Sequence, residues 1–143
     1  MDCRADFDAC GFIEDLIAKS EDAGLKDALK NVLDRLNDHL INGVDFKEIL
    51  NHLYDGIYIS DGNGKTLFVN KAYCKITGIK YEQLVGRNVK EIEGQLYKNA
   101  VTLEVIKHKK QVNSVGESLV NGQTMLITGN HIFDDSGNVK MVV

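Results

Sequence analysis

Apolar residues in the first part of the chain recur at helical spacing. In GFIEDLIAK, Phe12, Ile13, Leu16 and Ile17 fall on one helix face. Further along, Leu25, Leu29, Val32 and Leu36 follow a 4-3-4 spacing, with Ala28 and Leu33 widening the stripe and His39 or Leu40 continuing it. That period is the a/d seam of a coiled coil. Such a seam can be covered by the chain's own domain or by the same helix of a second copy. Asn42-Gly43 predicts the helix stop. A second helix is predicted from Asp45, which can cap it, with Glu48 three residues on in capping-box register. Ile49, Leu50 and Leu53 form its apolar side, and Asp55-Gly56 breaks it.

From Gly56 onward the period changes. GIYIS and KTLFVN are β-rich runs around DGNG, Asp61 to Gly64, which predicts a hairpin. Asn70 is placed to cap a short helix over 71–77, and Gly78 to end it. Helical turns are predicted near 81–84 and 88–93. QLYKNAVTLEVIKHKK reads as a longer helix with the apolar stripe Val101, Leu103, Val105 and Ile106. Its basic end, Lys107 to Lys110, complements the helix dipole. QVNSVGESLV, QTMLITGNHIF and NVKMVV predict three strands, joined by a two-residue turn at Asn121-Gly122 and by DDSG, Asp134 to Gly137. Strands linked by hairpins predict one five-stranded antiparallel sheet with short helices on one face, an α+β fold. The expected division is a helical segment, 1–43, followed by one domain, 44–143. The last strand runs to the end of the chain without a polar tail, as expected of a fragment of a longer protein.

Composition narrows the function classes. The 143 residues are 43% hydrophobic and carry a net charge of −4, which gives no general attraction to nucleic acid or acidic membranes. No apolar run approaches the roughly 20 residues that span a bilayer. The opening MDCRADFDACGF is too acidic and polar for a signal peptide, so a cytoplasmic location is expected. Cys3, Cys10 and Cys74 form no CxxC pair, and His39, His52, His108 and His131 are scattered, so no metal site is expected. With no proline, the turns rest on Gly, Asn and Asp. Tyr73 and Cys74 are residue types that can do chemistry, and Lys71 and Lys75 near Cys74 would lower a thiol pKa. No histidine or acid stands near Cys74 in sequence to serve as a base. Cys74 is therefore expected to pack, and the protein is not expected to be an enzyme.

The stretch DGIYISDGNGKTLFVNKAYCKITGI resembles the first half of a PAS domain. It has a DG before a strand, D-x-x-G in a hairpin, VN-x-A opening a helix and TG closing it. LVGRN, Leu84 to Asn88, is similar to the family's next corner, and DDSGNV to the turn before its last strand. The likeness covers about 45–143 and makes Asn70, Gly78, Gly86 and Asn88 structural corners. It implies a cavity between the sheet and its short helices, a natural small-molecule site. Ile57, Ile59, Phe68, Tyr73, Ile76, Val101, Val105, Ile127 and His131 are expected to line it.

Flavin photoreceptors of this family carry a cysteine just after the GRN corner. Here that position is Val89, so no covalent flavin adduct can form there. Haem-binding relatives use a histidine on the long helix. The candidate here, His108, stands at the polar end among lysines, so neither haem nor flavin is expected. The resemblance implies a sensory and dimerisation module, with Leu25, Leu29, Val32 and Leu36 as homodimer contacts and no direct nucleic-acid contact. The missing C-terminal output domain would belong to a sigma-54-dependent transcription activator or to a histidine kinase. The activator is favoured by a start at Met1, a short helical lead and no membrane segment. A ligand-free protein-interaction module is the alternative.

Overall fold

A computed structural model describes residues 9–37, 40–41 and 44–143. The chain divides into two compact units, 1–49 and 50–143, with the division inside one helix. In the first unit, α1 (Ala9–Lys19) and α2 (Ala23–Asn37) pack against each other. Asp22 starts α2: its Oδ1 accepts from the Leu25 N–H at 3.0 Å, and its carbonyl accepts from Lys26 N at 3.0 Å. The predicted seam lies on α2, with Leu25 51% and Val32 46% exposed, and Leu29 and Leu36 half-buried.

The end of α2 differs from the sequence expectation. The helix stops at Asn37, and β1 (Leu40–Ile41) pairs antiparallel with β2 (Val44–Asp45). The predicted stop at Asn42-Gly43 and the seam position His39 lie outside the described residues. The next helix, α3 (Phe46–Asn51), begins at the expected place, with the Asp45 carboxylate accepting from Lys47 N at 2.8 Å.

The second unit is α+β, as expected. Its elements are β3 (Tyr58–Asp61), β4 (Thr66–Val69), α4 (Lys71–Thr77), α5 (Tyr81–Leu84), α6 (Val89–Ile92), β5 (Tyr97–Lys98), α7 (Val101–His108), β6 (Val112–Ser118), β7 (Thr124–Gly129), β8 (His131–Phe133) and β9 (Val139–Val142). Two antiparallel ladders run β4-β3-β9-β8 and β5-β6-β7. They meet where QTMLITGNHIF breaks between β7 and β8. There Asn130 and Val143 exchange backbone hydrogen bonds of 2.8 and 2.9 Å. The five predicted strands thus appear in the order β4, β3, β9, β8 with β7, β6, and β5 adds a short outer pairing. That last pairing corrects the long-helix expectation. Tyr97 and Lys98 pair with Ser118 and Glu117, Asn99 turns the chain at φ 62°, and only then does α7 begin.

Two of the turns are built alike. Asp61 Oδ1 accepts from the N–H groups of Asn63 and Lys65, and the Asp61 carbonyl accepts from Gly64 N. Asp134 Oδ1 accepts from Ser136 and Asn138, and its carbonyl from Gly137 N. The fourth residue of each is a glycine at positive φ, 87° and 79°, which a side chain would strain. The turn at Asn121-Gly122 is longer than the two residues expected. Ser118 N donates to Gln123 O at 2.9 Å and closes a loop of four residues. The extra length is used: Asn121 Nδ2 donates to Ile76 O at 2.9 Å, and Ser118 Oγ donates to Thr77 O. These bonds satisfy carbonyls that the end of α4 leaves free.

The core between sheet and helices holds Val69, Ile79, Leu84, Val89 and Ile92, each at most 1% exposed. Against the other end of the sheet, α7 packs directly on β7. A Cβ on Gly129 would lie 2.6 Å from Val101 and 2.8 Å from Val105, so only glycine permits that approach.

Asn70 joins the elements at the start of this sheet. It is fully buried. Its Oδ1 accepts from Ile57 N at 2.8 Å and from Tyr73 N at 2.9 Å. Its Nδ2 donates to Leu50 O at 2.8 Å and to Asp55 O at 2.9 Å. An amide has two donors and two acceptor sites, so its capacity is filled. Asn70→Ala removes four side-chain bonds to the backbone and leaves the part-buried N–H groups of Ile57 and Tyr73 unpartnered. It is expected to destabilise the domain by about 3 kcal/mol or more. Urea unfolding checks this, and a loss of only a few tenths would contradict the assigned role. At the second D-x-x-G turn, backbone hydrogen bonds from Asn138 and Ser136 hold the Asp134 carboxyl below its ordinary value. A lowered carboxyl stabilises the fold above its unfolded pKa of about 3.9 and loses that contribution as pH falls through the lowered value. Asp134→Asn is therefore expected to lower Tm at pH 7 more than at pH 3. Equal effects at the two pH values would show that the charge does not matter.

Candidate functional site

Between β6, β7, α4 and the start of α7 lies a cavity of about 430 Å³. One wall is aromatic. The Tyr58 and Tyr73 ring centroids are 5.6 Å apart and the rings are tilted by 42° to each other. The Tyr58 hydroxyl is 2.6 Å from the Thr66 hydroxyl. Tyr97 completes this wall, 8% exposed, and its hydroxyl is buried without a hydrogen-bond partner. It lies near enough to the Tyr58 hydroxyl for each to affect the other's ionisation, but not in hydrogen-bond geometry. Burial pushes the hydroxyl pKa of all three tyrosines up, furthest for Tyr97, so they remain neutral donors near pH 7.

The other apolar lining residues are Ile76, Val101, Met125, Ile127 and Val142. The charged lining groups are Asp55, Lys98 and Glu117. Lys98 Nζ stands 3.4 Å from Glu117 Oε2, in a largely exposed pair. The cavity is thus a largely apolar pocket with a few hydroxyls, suited to holding a small molecule in one orientation.

Of the residues expected at this wall, Tyr73, Ile76, Val101 and Ile127 line the cavity. Ile57, Ile59, Phe68, Val105 and His131 do not, and that expectation is corrected. On β3 the alternation is displaced by one residue. Tyr58 opposes Val69, and Ser60 opposes Thr66, all toward the core, whereas Ile59 opposes Phe68 on the other face. Ile57 is half-buried and precedes the strand, its N–H held by Asn70. Val105 is fully buried in contact with Val101 and Val142. His131 opposes Val142 on β8, with its ring 4.3 Å from that of Phe133 and a buried, unpartnered Nδ1.

Tyr58, Tyr97, Met125 and Val142 were missed. In GIYIS the isoleucines alternate with Tyr58 and Ser60, and it is the more polar parity that turns inward, with Ser60 fully buried. Tyr97 was hidden inside a segment that reads as helix. Its one signal was Asn99, a residue type that tolerates the left-handed conformation it adopts.

Of the remaining candidates, Asn70 caps α4, and Gly78 ends it at φ 72° with its N–H on Cys74 O. Gly86 N donates to Thr66 O at 2.9 Å. Asn88 caps α6 through Lys90 N and donates to Asn63 O. Val89 is buried in the core. His108 is half-exposed, its Nε2 3.1 Å from Glu104 Oε2. Cys74 is half-buried on α4, and burial followed by the Glu82 charge pushes its thiol up, against the lowering that neighbouring lysines would give. Among the described residues, no three His, Cys, Asp or Glu side chains are grouped to hold a metal ion. No helix among them is long and apolar enough to cross a membrane.

The family model for the PAS fold matches residues 44–143. The chain belongs to the PAS family. No curated protein sequence matches it. Among solved structures, the PAS chain resembles the E. coli DhaR(N)–DhaL complex at a TM-score of 0.58 and 22% identity, over 83% of its own length. It spans 40% of that chain. An RNA-binding light-oxygen-voltage receptor gives a TM-score of 0.52 at 13% identity, over 66% of this chain and 29% of the other. The PAS domain of Bordetella pertussis BvgS gives 0.45 at 15% identity, over 67% and 75%. At these identities the likeness is one of fold.

The unpartnered Tyr97 hydroxyl leads to a stability prediction. Tyr97→Phe removes a buried group that has no bond to lose. The unliganded protein is therefore expected to change by less than about 1 kcal/mol, or to gain stability. Chemical denaturation of the variant measures this, and a larger loss would mean that the hydroxyl has a partner in solution.

Proposed function

We propose that this PAS domain is a cytoplasmic sensory input module whose cavity takes a small, metabolite-sized molecule. The observation that carries the reading is the cavity of about 430 Å³, lined by Tyr58, Tyr73 and Tyr97 and by aliphatic side chains. A ligand whose contacts differ between two arrangements of the sheet and helices shifts the balance between them, which is the minimum a switch needs. The domain acts by binding rather than by catalysis. The segment 1–43 serves dimerisation: Leu25 and Val32, two of the four seam residues, are exposed on α2 and would be covered by a second copy. The output lies in a further domain, of the sigma-54-dependent activator or histidine kinase type.

The second reading is a protein-interaction module. The similar DhaR(N) structure is a complex with DhaL. Here Val115 and Leu126 oppose each other across β6 and β7 at 52% and 82% exposure, an apolar pair open to a partner.

The protein is expected to carry a bound mass in native mass spectrometry, or to gain thermal stability from at least one member of a broad metabolite library. Absence of both would leave the interaction module. The chain is also expected to be a dimer in light scattering and to become a monomer when residues 12–41 are deleted. An unchanged mass after deletion would remove the helices from the interface.

A further inference from the structure

We propose that the cavity takes a small carboxylic acid as its anion, with the carboxylate held at the start of α7 by the N–H groups of Val101 and Thr102 and by the Thr102 hydroxyl. This rests on the reading of the cavity as a ligand site and adds the class of ligand.

Three observations carry it. The first is the Thr102 side chain. Thr102 lines the cavity and is 8% exposed. Its hydroxyl has no hydrogen-bond partner among the described residues. It is not shut into the core, as the Tyr97 hydroxyl is. A helical threonine can turn its hydroxyl back on the preceding turn, as Thr77 does on Tyr73 O at 2.8 Å. Thr102 is the second residue of α7, and the chain before it turns away at Asn99, so no such carbonyl stands behind it. A polar group buried this far and left open at a cavity is met by whatever fills the cavity.

The second is the start of the helix. Val101 and Thr102 open α7, and both line the cavity. The N-cap residue is Ala100, which has no side-chain oxygen to offer them. The Leu103 N–H donates to Ala100 O at 3.1 Å, but the N–H groups of Val101 and Thr102 make no hydrogen bond among the described residues. Free N–H groups at the positive end of a helix suit an anion. This helix end already draws one carboxylate, since Glu93 Oε1 accepts from the Ala100 N–H at 2.9 Å. Glu93 borders a second groove, with Leu103 and Glu104, and not this cavity. The next two N–H groups remain for a ligand.

The third is the rest of the lining. Lys98, just before α7, is its one cation, and the pair with Glu117 at 3.4 Å is largely exposed. Such a pair contributes little, so Lys98 can turn toward a ligand anion at small cost. Asp55 is exposed, where water and salt screen its charge. Tyr58, Tyr73, Ile76, Ile127 and Val142 supply apolar surface for the body of the ligand. A monoanion with an apolar body fits this division. A phosphate dianion would need more compensation than one exposed lysine and a helix end supply, and an ammonium group would meet a helix end of its own sign.

A matched set of probes tests the class on the full chain at pH 7: phenylacetate, phenylacetamide, phenethylammonium and ethylbenzene, titrated separately and followed by amide chemical shifts. Phenylacetate is expected to saturate, to bind at least about fivefold more tightly than each of the other three, and to move the Val101 and Thr102 N–H protons downfield. Thr102→Val keeps the side-chain shape without the hydroxyl, and is expected to weaken phenylacetate at least about threefold and to leave ethylbenzene unchanged. If no probe saturates, the ligand-site reading itself fails, and this inference with it. If a probe saturates but phenylacetate is not the tightest, the cavity is a ligand site and the proposed class is wrong. Tight phenylacetate that leaves the Val101 and Thr102 signals unmoved, or that binds the variant equally well, sits elsewhere and overturns the assignment. The wild-type series and its shifts decide the class even if the variant does not fold.

Discussion

The domain depends on the saturation of one buried amide. Asn70 has no exposure and no free hydrogen-bonding capacity, and its four side-chain bonds go to backbone groups at Leu50, Asp55, Ile57 and Tyr73. These are the end of α3, the loop after it, the entry to β3 and the first turn of α4. Without the amide, the part-buried N–H groups of Ile57 and Tyr73 would be left without a partner. Because the amide's donors and acceptors are fixed in direction, it sets the angle at which the sheet begins and the short helix departs. The far end of α4 is held in the same way, by Ser118 and Asn121 from the loop between β6 and β7. A seven-residue helix tied at both ends cannot settle flat onto the sheet, and the space beneath its inner side is the cavity wall carrying Tyr73 and Ile76.

The same constraint explains the uneven polarity of the site. Backbone groups at the two ends of α4 are satisfied by the corners, so few polar side chains need to point inward. Those that do are neutral hydroxyls, kept neutral by burial. The charged pair Lys98 and Glu117 is largely exposed, so its pairing contributes little stability.

Corners were legible and walls were not. Asn70, Gly78, Asn88 and the two D-x-x-G turns could be read because each does its work with its own side chain or its own φ angle, within a few residues. The helices 71–77 and 81–84 followed from those marks. The short strand at Tyr97 could not be read, because two residues of strand carry no period and the segment continues into a real helix at Val101. Half of the expected lining failed for a related reason. Ile57 and Ile59 lie in GIYIS, where every position is compatible with burial, and a shift of one residue exchanges the two faces. The bulge between Ile59 and Ser60, with Leu67 unpaired opposite it, also breaks the count that would carry parity from β3 to β4.

The sequence by itself determined most of the element order, the positions of most turns and the α+β class, because these depend on local capping, local φ and the period of apolar residues, and the resemblance of its corner motifs to those of PAS domains pointed to the family. Tertiary structure decided which side of each strand faces inward, that Tyr58, Tyr73 and Tyr97 line one cavity, and that the Tyr97 hydroxyl is buried. Those facts depend on residues far apart in the chain, such as Ser60 and Val142, which pair between β3 and β9. They are set by how the faces are covered, by the close approach that Gly129 allows to α7, and by the balance of burial against hydrogen bonding, none of which is written in any short window of residues.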